Sequence, residues 1–326
     1  MPAILTHDFF GRDFLSVNPK VVAATKDARE AFLLGNQGPD PLFYLEFVPG
    51  TGEWRALGNR MHDQRPTHLI AAFLQAAECF QGEDRDLAQA YTLGLVCHYT
   101  LDSTAHPFVY AFEKAVMDAG IEGIGLHDAG FVHLEIEREC DECMLYRKKG
   151  RTIEDYKPYK EALRGSGHML AVVGKLYAYA CADAFGVEVP DDLFPKAVAG
   201  FRATQRALYA PKDGKRQLAH TVVRASGGTH SRFDVMAHRV YIGDACPLDN
   251  HEHLMWANPF SGAVSTNSFY DCVDAAFCKA KENVEAVQAF WRANAEGAGD
   301  APVAVPLQTA RAITGGLNFS GQPAQD

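Results

Sequence analysis

The sequence has no uninterrupted run of eighteen apolar residues and no long stretch of alternating apolar and polar residues. A helix that spans a bilayer needs about 20 mostly apolar residues, so we expect no transmembrane helix and only peripheral contact with any membrane. Alternation with a period of two is typical of half-buried strands, and its lack argues against a β protein. The chain also starts without a basic segment followed by an apolar run, so we expect no secretory signal and a cytoplasmic location.

Positive charge is scarce in this chain. It has 31 Lys and Arg residues against 41 Asp and Glu residues, which gives a formal net charge of −10. Proteins that hold nucleic acid neutralise its phosphates with basic residues, so this balance argues against a nucleic-acid partner. Bound divalent cations would offset part of the negative charge locally.

The eight cysteines are dispersed and do not form a disulfide framework. Without an export signal we expect reduced thiols, most of them small core residues. Cys140 and Cys143 form a CxxC motif, but no second CxxC and no βαβ pattern accompany it. We interpret this pair as packing residues rather than as a redox or zinc site.

The dominant pattern has the helical period of 3.6, which predicts an all-α, multi-helix bundle with long irregular connections. We expect helices over about 18–35, 67–80, 84–105, 126–149, 159–184, 192–209, 215–225 and 268–293. Residues 243–265 are rich in Pro, Gly and Asn and predict a long irregular connection. From residue 296 onward Ala, Gly, Pro, Thr and Gln prevail, so we expect a domain over 1–295 and a mobile tail over 296–326.

Two sets of residues share a four-residue spacing: His98, Asp102 and His106, and the pair His133 and Glu137. Residues four apart lie on one face of a helix, and imidazoles and carboxylates stacked in this way can bind a metal ion. With this composition a His followed four residues later by an acid arises about 1.6 times by chance, but the triple only about 0.06 times. The triple is therefore the stronger evidence for a metal site.

Three further residues suit the same site. Asp40 lies between Pro39 and Pro41, whose rings restrict the backbone and so fix the direction of the carboxylate. His62 is expected in a loop before a helix, and His7 lies near the start of the chain. The eight candidates, which could hold two or three zinc ions, are His7, Asp40, His62, His98, Asp102, His106, His133 and Glu137.

A plainer interpretation stays open for these residues. His98 and His106 could be core histidines that Asp102 satisfies, and Glu137 could be one of several solvated acids on its helix. His106 precedes Pro107, and the residue before a proline is biased away from helical geometry, so we expect His106 at a helix end. The remaining histidines, which show no comparable arrangement and are expected to be surface or hydrogen-bonded core residues, are His68, His127, His168, His220, His230, His238, His251 and His253.

In these motifs the chain resembles the zinc-dependent phospholipase C family, which is related in fold to single-strand-specific zinc nucleases. The resemblance rests on Gln37–Pro41, His62, the HxxxDxxxHP motif from 98 and the HxxxE motif from 133, and it extends to residues 256–269. It implies an all-helical fold with three zinc ions in a cleft. By resemblance, one ion is held by His62, His98 and Asp102, and a second by His106, His133 and Glu137. The third is held by His7, a bridging Asp102 and the chain's amino terminus, and Asp40 matches the family's general base.

The resulting hypothesis is a zinc-dependent phosphoester hydrolase that cleaves a phospholipid or a related phosphodiester with a metal-activated water. Pro41 stands where choline-specific members have an aromatic residue, so the head group is left open. Three alternatives remain. The chain could be a nuclease-like or nucleotidase-like phosphodiesterase of the same fold, or a metal-binding protein without turnover. It could also be an HD-type phosphohydrolase, since His7-Asp8, His62-Asp63 and His127-Asp128 are all His-Asp dipeptides.

Overall fold

The structure is a computed structural model that describes residues 4–120, 126–211, 236–296 and 304–324. These residues are helical apart from irregular connections and one small hairpin, which confirms the all-α prediction. The helices are α1 (Ile4–Val17), α2 (Lys26–Gly35), α3 (Leu57–Asp63), α4 (Pro66–Glu78), α5 (Gly82–Asp118), α6 (Ala129–Lys149), α7 (Pro158–Glu161), α8 (Gly167–Phe185), α9 (Leu193–Leu208), α10 (Phe269–Glu296) and α11 (Ala304–Thr314). Short 3-10 helices cover Asp40–Phe47, Gly52–Trp54 and Leu126–Asp128, and the antiparallel hairpin pairs β1 (Trp256–Ala257) with β2 (Val264–Ser265).

Helix α5 forms the centre of the bundle. It packs against α2, α4, α6, α8 and α10, so its middle part is enclosed on all sides. Every residue from Leu93 to Ser103 is buried, whether apolar or polar. A helix surrounded in this way must satisfy its polar side chains inside the protein.

Helices α2 and α5 touch backbone to backbone through two glycines. A Cβ atom added to Gly94 would lie 2.1 Å from the carbonyl oxygen of Phe32, and one added to Gly35 would lie 2.2 Å from that of Tyr91. No side chain can be accommodated at such distances. The contact brings the loop that follows α2 against α5, one turn before His98.

Helix α5 runs well beyond its expected end at residue 105, and the prediction that His106 lies at a helix terminus is wrong. Pro107 lies inside the helix, where its lack of an N–H removes one hydrogen bond. Phe108 and Val109 directly after it are buried, and this burial favours continuing the helix. The proline bias was outweighed by packing that the local sequence does not reveal.

Other boundaries were predicted with mixed success. The helices expected near 67–80, 126–149, 192–209 and 268–293 are confirmed as α4, α6, α9 and α10. The helix expected over 18–35 begins only at Lys26, where Thr25 caps it, and the one expected over 159–184 is split into α7 and α8, with Ser166 as the second cap. The helix expected over 215–225 lies outside the described residues. Residues 243–265 are irregular as expected, apart from the hairpin.

The expectation of a mobile tail from residue 296 is wrong for residues 304–324. Helix α11 packs against α4 and α10, with Ala310 and Ile313 buried. Phe319, in the turn beyond it, has no exposed surface. The composition did not predict the packing of this segment, because a few well-placed apolar residues suffice to bury a short helix and a turn. Residues 297–303 lie outside the described part of the chain.

Most of the cysteines are core residues, as predicted. All eight are free, and six of them are buried, while Cys79 and Cys278 are exposed. Across the described residues we find no helix with the length and hydropathy to cross a bilayer.

Candidate metal centre

Five elements bring the eight predicted residues to one place. Helix α5 supplies three of them, α6 supplies two, and α1, α3 and the 3-10 helix at residue 40 supply one each. His62, expected in a loop, lies in the last turn of α3. His106, expected at a helix end, lies on the same face of α5 as His98 and Asp102 because the helix continues through Pro107.

The potential ligand atoms fall into three groups, in each of which they lie within 4.8 Å of one another. The groups are His7, Asp40 and His98; His62, His98 and Asp102; and His106, His133 and Glu137. His98 belongs to the first two groups, so these two groups are adjacent. The second and third groups have the same members as two of the ligand sets that the family resemblance implies.

In the first part of the centre, imidazoles face carboxylates at short distances. Asp102 places Oδ1 3.1 Å from His7 Nε2 and Oδ2 3.2 Å from His98 Nε2. Asp40 Oδ1 lies 3.1 Å from His62 Nε2. The two oxygens of Asp102 thus lie next to two different histidines.

The second part of the centre is built around Glu137. Its Oε1 lies 3.2 Å from His106 Nε2 and 3.5 Å from His133 Nε2. Asp102 Oδ1 lies 4.0 Å from His106 Nδ1, which connects the two parts through α5.

The other ring nitrogen of four histidines is occupied by a fixed oxygen. Nδ1 of His62 donates to the Gly58 carbonyl (2.7 Å), that of His98 to Asn36 (3.1 Å), that of His106 to Phe319 (3.0 Å) and that of His133 to the Glu113 carboxylate (2.9 Å). In a neutral imidazole this leaves the lone pair on Nε2. Each of these lone pairs then faces a carboxylate oxygen.

Two lone pairs at about 3 Å repel each other unless a cation or a proton lies between them. His98 shows this most clearly, because its Nε2 is buried and has no hydrogen-bond partner. A histidine that donates Nδ1–H to an oxygen and presents Nε2 to a carboxylate-lined space has the arrangement of a metal ligand. The residues present therefore fit a divalent metal such as zinc.

The pKa values favour the protonation states that metal binding requires. Burial, together with the positive charge on His7 and His62, lowers the pKa of His98 to about 4 although Asp102 opposes this, so His98 stays neutral. Burial alone would raise the pKa of the Asp102 carboxyl, but His98, His106 and His7 hold it below its usual range. The same balance, with His133 and His106, keeps the pKa of Glu137 low.

His7 and His106 differ from His98, because the pKa of each is raised. Burial lowers the pKa of His106, but the charges of Asp102 and Glu137 and the hydrogen bonds to Glu137 and the Phe319 carbonyl outweigh this and raise the pKa to about 9. In the metal-free protein His106 is therefore protonated near neutral pH. A metal ion must displace that proton in order to bind.

Gly38 allows the loop to lie against the imidazole of His98. Its φ is +50°, and a Cβ atom there would be 2.2 Å from His98 Cδ2. Tyr91 and Tyr177 donate hydrogen bonds from their hydroxyls to the Gly38 carbonyl at 3.1 and 2.9 Å. These contacts fix the Pro-Asp-Pro turn and hence Asp40, of which only 7% is exposed.

Several supporting residues were missed by the sequence analysis. Glu113, which binds His133, stands seven residues after His106 on the same helix face, a spacing that could have indicated it. Asp141 accepts hydrogen bonds from the backbone of Leu5 (2.9 Å) and Thr6 (2.8 Å), and so fixes the start of α1 before His7. The backbone carbonyls that bind His98 and His106 have no sequence signal at all.

The structure also weighs against the HD-type reading. Asp63 is exposed, and Asp8 binds Arg12 at 2.6 Å. Within the described residues, neither belongs to a group that could hold a metal. His238 is buried and lies 3.1 Å from Asp141, as expected of a core histidine, while His220 and His230 lie outside the described residues.

Fold and site together define a class: an all-α protein whose helices carry clustered imidazoles and carboxylates able to bind divalent metal ions. A protein-family model described as zinc dependent phospholipase C matches residues 6–185, and the chain belongs to this family. The match includes all eight candidate residues and confirms the resemblance seen in the motifs. Residues 256–269, where the resemblance also extends, lie outside the matched range. No curated protein and no solved structure matches the chain.

Proposed function

We propose that this chain is a zinc-dependent phosphoester hydrolase that cleaves a phospholipid or a related phosphodiester, in the manner of a phospholipase C. Its membership of a zinc-dependent phospholipase C family supports a zinc phosphoesterase. The observation that carries the proposal is the set of Nε2 atoms that face carboxylates while their Nδ1 atoms are held by fixed oxygens.

We assign the ligands to two or three zinc ions. His62, His98 and Asp102 would hold one ion, and His106, His133 and Glu137 would hold a second. His7, together with Asp102, would contribute to a third. The chain's amino terminus, which the resemblance adds as a ligand, lies outside the described residues. Bound zinc lowers the pKa of a water to about 7 and polarises phosphoryl oxygens.

Asp40 is proposed as the general base that orients and deprotonates the attacking water. It is fixed by the flanking prolines and by the contact with His62, so little entropy is lost when it takes up its position. Burial would raise the pKa of its carboxyl, but the hydrogen bond with His62 and the nearby imidazoles of His98 and His62 hold it below its usual range. Asp40 is therefore ionised and ready to accept a hydrogen bond from water at neutral pH.

Elemental analysis of the native protein and three parallel assays test the proposal. We expect two or three zinc ions per chain and hydrolysis of phosphatidylcholine vesicles or of a simple phosphodiester, with no cleavage of single-stranded DNA. Chelation should abolish activity, and added zinc should restore it.

The assays separate the alternatives. Cleavage of DNA alone would point to the nuclease branch, and bound zinc without any turnover would point to a non-catalytic metal protein. Full activity in zinc-free protein would overturn the proposal. As a matched pair, His98→Ala should lose zinc while Asp63→Ala keeps it; the reverse result would favour the HD-type reading.

A further inference from the structure

The C-terminal turn, residues 315–324, lies outside the family match and is held together by its own hydrogen bonds. Asn318 Oδ1 accepts from the backbone N–H groups of Ser320 (3.0 Å) and Gln322 (2.9 Å), and the N–H of Ala324 donates to Gly316 (2.8 Å). These bonds give the turn one defined conformation, although its composition suggests a loose tail.

The C-terminal turn is anchored on α5 beside the metal centre. Tyr99, the residue after His98, donates from its hydroxyl to the carbonyls of Thr314 (3.1 Å) and Leu317 (2.8 Å). Farther along, Gly321 lies so close to the Ser103 carbonyl that a Cβ atom would approach it to 2.7 Å. The turn therefore lies along the helix that carries His98, Asp102 and His106.

One residue of this turn contacts histidines from both parts of the centre. The Phe319 N–H donates to the His62 carbonyl (3.1 Å), and its own carbonyl accepts the Nδ1–H of His106 (3.0 Å). Its ring centroid lies 5.0 Å from that of His62 and 5.7 Å from that of His98. Phe319 is fully buried, so its ring shields these imidazoles from solvent.

We propose that the C-terminal turn is a positioning element of the metal centre, in which Phe319 sets the tautomer of His106 and holds His62 and His98 in place. With its Nδ1–H bound to the Phe319 carbonyl, His106 presents the Nε2 lone pair towards Glu137. This inference rests on the proposed metal centre but not on its substrate.

Three variants test the role of the C-terminal turn. Their zinc affinities are measured in competition with a chromophoric chelator. The first ends the chain after Thr314, the second is Phe319→Ala, and the control is Phe290→Ala. Phe290 is also buried but lies on α10. Loss of an outer partner of a metal-binding histidine weakens binding about 10–100-fold, which we expect for the truncated chain. Phe319→Ala keeps the backbone carbonyl and should weaken binding less, and Phe290→Ala should leave the affinity within twofold of wild type.

A second readout distinguishes positioning from mere stability. In the zinc-loaded wild type the Nδ1–H proton of His106 should exchange slowly with solvent and give a proton resonance by NMR, which the truncated chain should lose. Wild-type zinc affinity in the truncated chain would overturn the inference, even with a lower Tm. If the truncated chain does not fold, equal affinities of Phe319→Ala and Phe290→Ala would overturn it. If zinc affinity depends on the turn but the protein hydrolyses none of the tested phosphoesters, the proposed function is wrong and this inference still holds.

Discussion

At the residue scale, the centre depends on how each imidazole is oriented. The helical spacing of His98, Asp102 and His106 could be found in the sequence because a helix turns a four-residue repeat into one face. The partners of the Nδ1 atoms could not be found in this way, because the carbonyls of Asn36 and Phe319 come from distant segments and every residue has such a group. The candidate ligands were therefore predictable, while the atoms that fix their tautomers required the structure.

Asp40 is the residue whose role most needs a test, because its oxygen lies near His62, and with His7 and His98 it could also hold a metal. We expect Asp40→Asn to retain the full zinc complement and to lower kcat by about 10²–10⁴, with a smaller change in KM, since a general base acts in the transition state. Elemental analysis and steady-state kinetics on the same preparation measure both quantities.

An exposed acid serves as the control for this variant. Asp118→Asn alters a carboxylate that is 65% exposed and pairs with Lys114 far along α5, so zinc content and kcat should not change. If Asp40→Asn instead loses a zinc ion in proportion to its loss of activity, Asp40 is a ligand and not the base.

At the scale of elements, α5 contributes most to the centre, because this single helix carries His98, Asp102, His106 and Glu113. The sequence predicted residues 84–105 of this helix from apolar periodicity but ended it just before Pro107, since local rules weigh the proline and cannot weigh the packing around Phe108. Helix α2 was predicted with the right end at Gly35, because a glycine after the last apolar turn is a typical stop.

The close packing of α2 on α5 leads to a stability prediction. We expect Gly94→Ala to lower the free energy of unfolding by about 1–3 kcal/mol, because the new methyl group would collide with the Phe32 carbonyl and force the helices apart. Urea unfolding followed by circular dichroism measures the change. Zinc affinity should fall as well, since the loop that carries Asp40 follows α2 directly.

Gly130→Ala is the matched control, because Gly130 lies in α6 with no atom near the site of the added methyl group. Its free energy of unfolding should stay within about 0.5 kcal/mol of wild type. Equal stabilities of the two alanine variants would mean that the helices can separate without loss, and the account of the glycine contact would fail.

At the scale of the whole molecule, the two ends of the described chain meet around the same helix. Helix α1 brings His7 to Asp102, and the C-terminal turn brings Phe319 to His106. The sequence analysis separated the C-terminal turn from the domain because Gly, Pro and Gln prevail in its composition. Only contacts at long range along the chain, such as that between Tyr99 and Leu317, show that it belongs to the site.

Protons and metal ions compete for this centre, and stability should report the competition. The pKa of His106 rises from 6.5 to about 9 on folding because the charges of Asp102 and Glu137 outweigh its burial, and His7 shifts in the same direction. A raised pKa means that the folded state binds the proton more tightly than the unfolded state. The resulting stability is fully present below pH 6.5 and is lost as the pH rises to about 9.

Zinc-loaded protein should not show this loss, because bound zinc occupies the nitrogen that would take up the proton. We therefore expect the difference in Tm between zinc-loaded and zinc-free protein to grow between pH 6.5 and 9, as measured by calorimetry at fixed excess zinc. In the zinc-free state, His106→Asn should flatten the decline of Tm over this range, since asparagine does not titrate. An identical decline in the variant would show that His106 does not carry the excess proton and that its carboxylate partners are neutralised by another group.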